Sequence, residues 1–162
     1  MKKLNVYVAS SYNEKIKKCS YGVLLFDGYK PLDKFSNIID ENIVNKTYQV
    51  GGYLSGVINA IKYAINNNYD EVCIMYNFEG ADKYTKIKEK DSLSQVVKQY
   101  IKDYEELETV INITFEKVNL NKYIPRTNLK MALDISRNMF LTSFDDYHLL
   151  NPKNYKGATK DA

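Results

Sequence analysis

Residues 19–28, Cys19-Ser20-Tyr21-Gly22-Val23-Leu24-Leu25-Phe26-Asp27-Gly28, decide how the first third of this chain folds. The run from Cys19 to Phe26, mostly apolar and carrying Tyr21, Val23 and Phe26, predicts a strand. It ends in Asp-Gly, a pair suited to the backbone of a tight hairpin turn. Upstream, residues 4–8 (Leu-Asn-Val-Tyr-Val) alternate apolar and polar, and Ser10-Ser11-Tyr12-Asn13-Glu14 supplies a polar turn. Downstream, a third strand is predicted over 33–39. Three strands joined by short connections predict an antiparallel meander.

The period then changes from two to 3.6. Leu54, Val57, Ile58, Ile61 and Ile65 fall on one stripe, which predicts a core-facing helix preceded by Gly51-Gly52 and stopped by Asn66-Asn67-Asn68. Residues 71–76 (Glu-Val-Cys-Ile-Met-Tyr) are apolar throughout after Glu71, as a buried central strand requires. Asp91-Ser92 is the expected cap of a helix with the stripe Leu93, Val96, Val97, Tyr100, Ile101, Tyr104 and Leu107. A fifth strand is predicted over 110–118, and a last helix after Pro125, from Thr127 to about Phe140. The order β-β-β-α-β-α-β-α predicts an α/β fold, a mixed five-stranded sheet with helices on both faces. We place one domain at 1–140 and read 141–162 as a polar tail, extended or partly disordered.

Composition limits the function classes. Hydrophobic content of 44% and charged content of 27% suit a globular domain, and 162 residues suit a single one. No stretch reaches the ~20 apolar residues of a membrane span, and Met1–Val8 does not read as a secretory leader. An intracellular, cytoplasmic protein with no membrane partner is expected. Cys73 lies in an apolar run and reads as a small buried hydrophobe. Cys19 and Cys73 are not expected to form a disulfide, nor, with the lone His148, a zinc site. His148 itself reads as a surface residue. A net charge of +3 permits nucleic-acid binding without arguing for it. No Gly-x-Ser-x-Gly elbow and no phosphate-cradling Gly-x-x-x-x-Gly-Lys loop occurs.

Three segments resemble the ribonuclease H family. Val8-Ala9-Ser10-Ser11-Tyr12-Asn13, followed by Tyr21-Gly22-Val23-Leu24, is similar to its first strand, ending in Asp-Gly-Ser, and its Tyr-Gly-Val strand. Val50-Gly51-Gly52-Tyr53-Leu54-Ser55 resembles the opening of its first helix, and Tyr76-Asn77-Phe78-Glu79-Gly80 the end of its fourth strand. The resemblance spans roughly residues 4 to 140 and implies the RNase H-like fold. The family's chemistry uses two Mg²⁺ ions held by carboxylates. The resemblance puts Ala9, Tyr53 and Asn77 where three of those carboxylates belong, and the fourth at Ala132 or Leu133. Asp134 lies one step further along the helix, turned by ~100°. The expectation is therefore no catalytic residue, no metal, no cofactor and no enzyme: a pseudonuclease. Glu79 and Asp82, just past the fourth strand, read as solvated acids opening a short helix, with a shared weakly held cation as the lesser alternative.

Two functions are carried forward. The first is binding of DNA, RNA or a hybrid without cleavage, through Ser11, Tyr12 and Asn13 after the first strand, the run Lys83, Tyr84, Lys86 and Lys88, and Lys122, Tyr123 and Arg126. The alternative is a protein-interaction or homodimerisation module, with Tyr53 plugging the cleft or anchoring a partner.

Overall fold

The computed structural model describes residues 2–39 and 49–140. The elements are β1 (Lys3–Asn13), β2 (Lys18–Asp27), β3 (Lys30–Ile38), α1 (Gln49–Asn66), β4 (Glu71–Tyr76), the short α2 (Gly80–Lys83) with a 3-10 turn Tyr84–Lys86, α3 (Gln95–Leu107), β5 (Asn112–Lys117) and α4 (Tyr123–Asn138). Their order is the one expected, and they form a mixed sheet with strand order β3-β2-β1-β4-β5. The expected tail beyond Phe140 and His148 lie outside the described residues.

β1 is the pivot of the sheet. It pairs antiparallel with β2 along Leu4–Asn13 but parallel with β4 only along Lys3–Tyr7. Beyond Tyr7 the two parallel strands part. The chain leaves β1 towards β2 and leaves β4 towards β5, so their carboxyl ends border a crevice of the kind that doubly wound sheets use for ligands.

One face of the sheet carries the larger core. Leu4, Val6 and Val8 of β1 pack with Val23 and Leu25 of β2 and Val72 and Ile74 of β4, beneath Leu54, Val57 and Ile61 of α1 and Ile101 of α3. Each such side chain contributes about 1.5–3 kcal/mol through burial. The opposite face holds a smaller cluster: Tyr7, Ala9 and Leu24 under Leu129 and Ala132 of α4.

Boundaries differ from expectation where local packing overrides pattern. Gly51 and Gly52 lie inside α1, because a Cβ on Gly52 would sit 2.5 Å from Cys19 Sγ and the bare backbone lets the helix close on β2. Helix α3 is capped by Ser94 instead of Asp91-Ser92, its Oγ accepting the Val97 N–H at 3.3 Å. Helix α4 begins at Tyr123, with Pro125 in its first turn, where the missing N–H has no intrahelical partner to lose. Strand β3 starts early, at Lys30, after a turn in which Gly28 takes a φ of +64°. No helix among the described residues is long and apolar enough to cross a membrane.

Cys73 is buried, and so is Cys19. Burial pushes the Cys19 thiol up to about 11 and raises Cys73 as well, so both stay protonated near pH 8. An aromatic disulfide reagent at pH 8 is expected to leave both thiols unmodified in the folded protein and to titrate both once urea unfolds it. Rapid labelling of the native chain would contradict this burial.

Candidate nucleic-acid interface

The parting of β1 and β4 opens a cleft of about 490 Å³. Its floor is Ala9 from β1, Tyr53 from α1, Asn77 and Phe78 just after β4, and Leu129 and Leu133 from α4. Ser10, Gln49, Val50, Leu120, Arg126 and Lys130 complete the lining. The four positions singled out by resemblance, Ala9, Tyr53, Asn77 and Leu133, thus meet in one place. Of the two residues left open on the last helix, Leu133 faces the cleft. Ala132 is fully buried against the sheet, and its carbonyl abuts Gly22. Asp134 points elsewhere and pairs with Lys130 at 3.6 Å.

Tyr53 organises the floor. It is 4% exposed, and burial drives its phenol well above the ordinary tyrosine range, so it stays neutral. Its hydroxyl accepts the Asn77 backbone N–H at 3.2 Å. Its ring meets Phe78 edge-on at 5.4 Å, and Phe78 meets Tyr84 at 6.2 Å, an aromatic chain from cleft to 3-10 turn. At 4% exposure Tyr53 fills the floor of the cleft, as the plugging role expects, and leaves only a small part of its ring for a partner to reach. Ser10 Oγ donates to the Gln49 carbonyl at 2.8 Å, tying the end of β1 to the start of α1.

This lining does not fit a pair of divalent cations. Ala9 and Leu133 offer no donor, Tyr53 a neutral phenol and Asn77 one neutral carbonyl oxygen, whereas Mg²⁺ selects anionic oxygen ligands. Glu79 pairs with Lys117, and Asp82 with Lys86 at 3.1 Å. Among the described residues no three His, Cys, Asp or Glu side chains gather where they could hold a metal. The Lys117 ammonium beside Glu79 holds that carboxyl below its usual range.

The candidate contact residues divide. Arg126 lines the cleft, and Lys122 caps the same helix a turn earlier. Tyr84 adjoins the cleft through Phe78, Lys83 is exposed on α2, and Lys86 is engaged with Asp82. Ser11 is a correction. It is 9% exposed, and its hydroxyl lies 3.2 Å from Ser20 Oγ and accepts from Ser136 Oγ at 3.1 Å, so it pins α4 to the hairpin. Asn13 is likewise engaged, its Oδ1 accepting the N–H groups of Lys15 and Ile16 in the β1–β2 turn. Tyr12 is half-buried between them.

Lys130, Gln49 and Phe78 were absent from the sequence-based candidates. Lys130 was detectable in principle: Arg126 and Lys130, like Leu129 and Leu133, are four apart and so share a helix face.

No family model matches this chain, and no curated protein matches it by sequence. Solved structures do match by fold. The RNase H1 of the archaeon Halobacterium salinarum aligns with a TM-score of 0.65 at 11% identity, over 87% of this chain and 99% of that one. The N-terminal RNase H domain of a Mycobacterium tuberculosis protein, solved as a fusion with maltose-binding protein, aligns with a TM-score of 0.61 at 12% identity, over 86% and 96%. LC11-RNase H1, a compost metagenome enzyme crystallised with an RNA/DNA hybrid, aligns with a TM-score of 0.53 at 17% identity, over 81% and 96%. The chain has the RNase H-like fold. These comparisons correct the expectation that it is not an enzyme. The three structures named above are of ribonucleases H or an RNase H domain, and the absence of carboxylates at four positions is no demonstration of inactivity.

Proposed function

We propose that this RNase H-like domain binds nucleic acid in the cleft between the carboxyl ends of β1 and β4 and the first turns of α4. The observation that carries this reading is the charge of the lining, which includes Arg126 and Lys130 and no acid. Lys122 and the exposed Tyr123 extend the same rim, with the Arg126 guanidinium 5.7 Å from the Tyr123 ring. Cations that meet phosphates beside an aromatic face that meets bases are what a strand-binding surface requires. A solved structure of the same fold, LC11-RNase H1, holds an RNA/DNA hybrid, which makes a hybrid the first ligand to test.

Binding is expected to be salt-dependent. For a fluorescent RNA/DNA hybrid, log K should fall with log salt at a slope of about −2 or steeper, since each phosphate neutralised on a duplex contributes roughly −0.9. Fluorescence anisotropy from low to moderate salt measures it. Absence of binding to hybrid, duplex DNA and single-stranded RNA at low salt would falsify the reading. Adding Mg²⁺ or Mn²⁺ to the same mixtures and resolving the strands on a denaturing gel shows whether the bound strand is cut. The exposed Leu120, Tyr123 and Ile124 on the same rim favour a protein partner as a second reading. Binding to a partner that persists undiminished at high salt is the result that would favour it.

A further inference from the structure

Resting on that reading of the cleft, we infer that it seats the phosphate of a nucleic-acid strand directly on Arg126 and Lys130, with no metal ion between protein and ligand. In a carboxylate-lined cleft, a phosphate is repelled until divalent cations intervene. This lining reverses that order. Ala9, Tyr53, Asn77 and Leu133 carry no charge, and the two charged groups among the lining residues are both cationic.

The two cations are well placed to act together. Four residues apart on α4, they stand on the same wall. The guanidinium can grip two phosphate oxygens in a fork, and the ammonium adds a compact point charge. Helix α4 has no acid in its first turn, and Lys122 at its N-cap offers no side-chain acceptor. The helix dipole therefore adds to the positive field on the same side. The competing acid is Asp134, whose 3.6 Å pair with Lys130 is exposed on both sides and weak enough to yield to phosphate. Phe78, half-buried in the floor of the cleft, supplies an apolar face for the sugar or base attached to that phosphate.

The test uses the full chain and a short fluorescein-labelled RNA/DNA hybrid, titrated in EDTA and in Mg²⁺ at matched ionic strength. Affinity in EDTA is expected to equal or exceed that in Mg²⁺, because Mg²⁺ only competes for the phosphates. Arg126→Ala and Lys130→Ala should each weaken binding by about tenfold, the scale of one charge-assisted hydrogen bond. Both side chains are exposed, so circular dichroism should show unchanged folding. Asn77→Asp adds one negative charge at an exposed, near-isosteric position whose backbone hydrogen bond to Tyr53 is kept. It should weaken binding in EDTA by about fivefold. If the hybrid binds in Mg²⁺ but is released in EDTA, or if neither alanine variant weakens it, the inference is overturned while the binding function stands. If the wild-type chain binds no nucleic acid under either condition, the binding function fails first and the inference with it.

Discussion

Replacing Gly22 with alanine is expected to destabilise the fold by about 3 kcal/mol or more, among the larger effects open to a single methyl group. Gly22 lies in the middle of β2, opposite Ala9 of β1. A Cβ there would fall 2.2 Å from the Ala132 carbonyl oxygen and 2.7 Å from the Ser136 amide nitrogen. Both are backbone atoms of α4, so no side-chain rotation relieves the clash and the helix itself must lift. Three buried serines resist that lift: Ser20 donates to the Ser136 carbonyl, and Ser11 and Ser136 join hydroxyls beside it. Thermal unfolding followed by circular dichroism should show a midpoint lower by roughly 6–12 °C, given 2–4 °C per kcal/mol for a domain of this size. Because α4 carries Arg126 and Lys130, binding should weaken even at temperatures where the variant remains folded. A variant melting within a degree or two of wild type would show that α4 does not rest on β2 as described.

Tyr53→Ala is expected to cost about 4 kcal/mol, as deletion of a buried aromatic side chain from a packed core does. The ring is enclosed by the main core and stacks edge-on against Phe78, so its loss leaves a void beneath the cleft. Tyr53→Phe separates packing from hydrogen bonding. It keeps the ring and removes the hydroxyl that meets the backbone of Asn77 and Phe78, and since Asn77 is exposed and Phe78 half-buried, water can take much of its place. That variant should lose about 1 kcal/mol or less. Urea unfolding of the two variants measures the difference. Equal losses would mean that the hydrogen bond, and not the packed ring, holds the floor of the cleft.

The fold was legible because its signals are local and repeated. The helical stripe from Leu54 to Ile65, the apolar run 71–76 and the Asp27-Gly28 turn each state their element without knowledge of the rest of the chain. The resemblance then joined them, and Ala9, Tyr53, Asn77 and Leu133 do converge. Helix starts were less legible. Ser94 and Pro125 lie among several residues able to cap or open a helix, and tertiary packing selects between them. Ser11 was misjudged for a related reason. A hydroxyl after a strand reads alike whether it faces solvent or a helix 125 residues further on, and only the structure supplies Ser136 as its partner. The four-residue spacing of Arg126 and Lys130 puts both on one helix face, but only the structure shows that this face lines a cleft. The denial of enzymatic activity went further than the residues permit, since the identity of a side chain at one position does not exclude chemistry by its neighbours.

The lopsided shape of β3 bears on how the molecule behaves at high concentration. This edge strand is exposed from Lys30 to Lys34, where Lys30, Pro31, Asp33 and Lys34 follow in close succession, and Leu32 is 44% exposed. A proline cannot donate to an incoming strand, and clustered charge makes strand-on-strand docking of like chains unfavourable. The opposite edge, β5, ends in Glu116 and Lys117, both exposed. Among the described residues, charge at both margins of the sheet disfavours the addition of a further strand, most clearly along β3. Among the same residues, the Leu120–Ile124 rim, with its exposed Leu120, Tyr123 and Ile124, offers self-association a more favourable surface than either sheet edge.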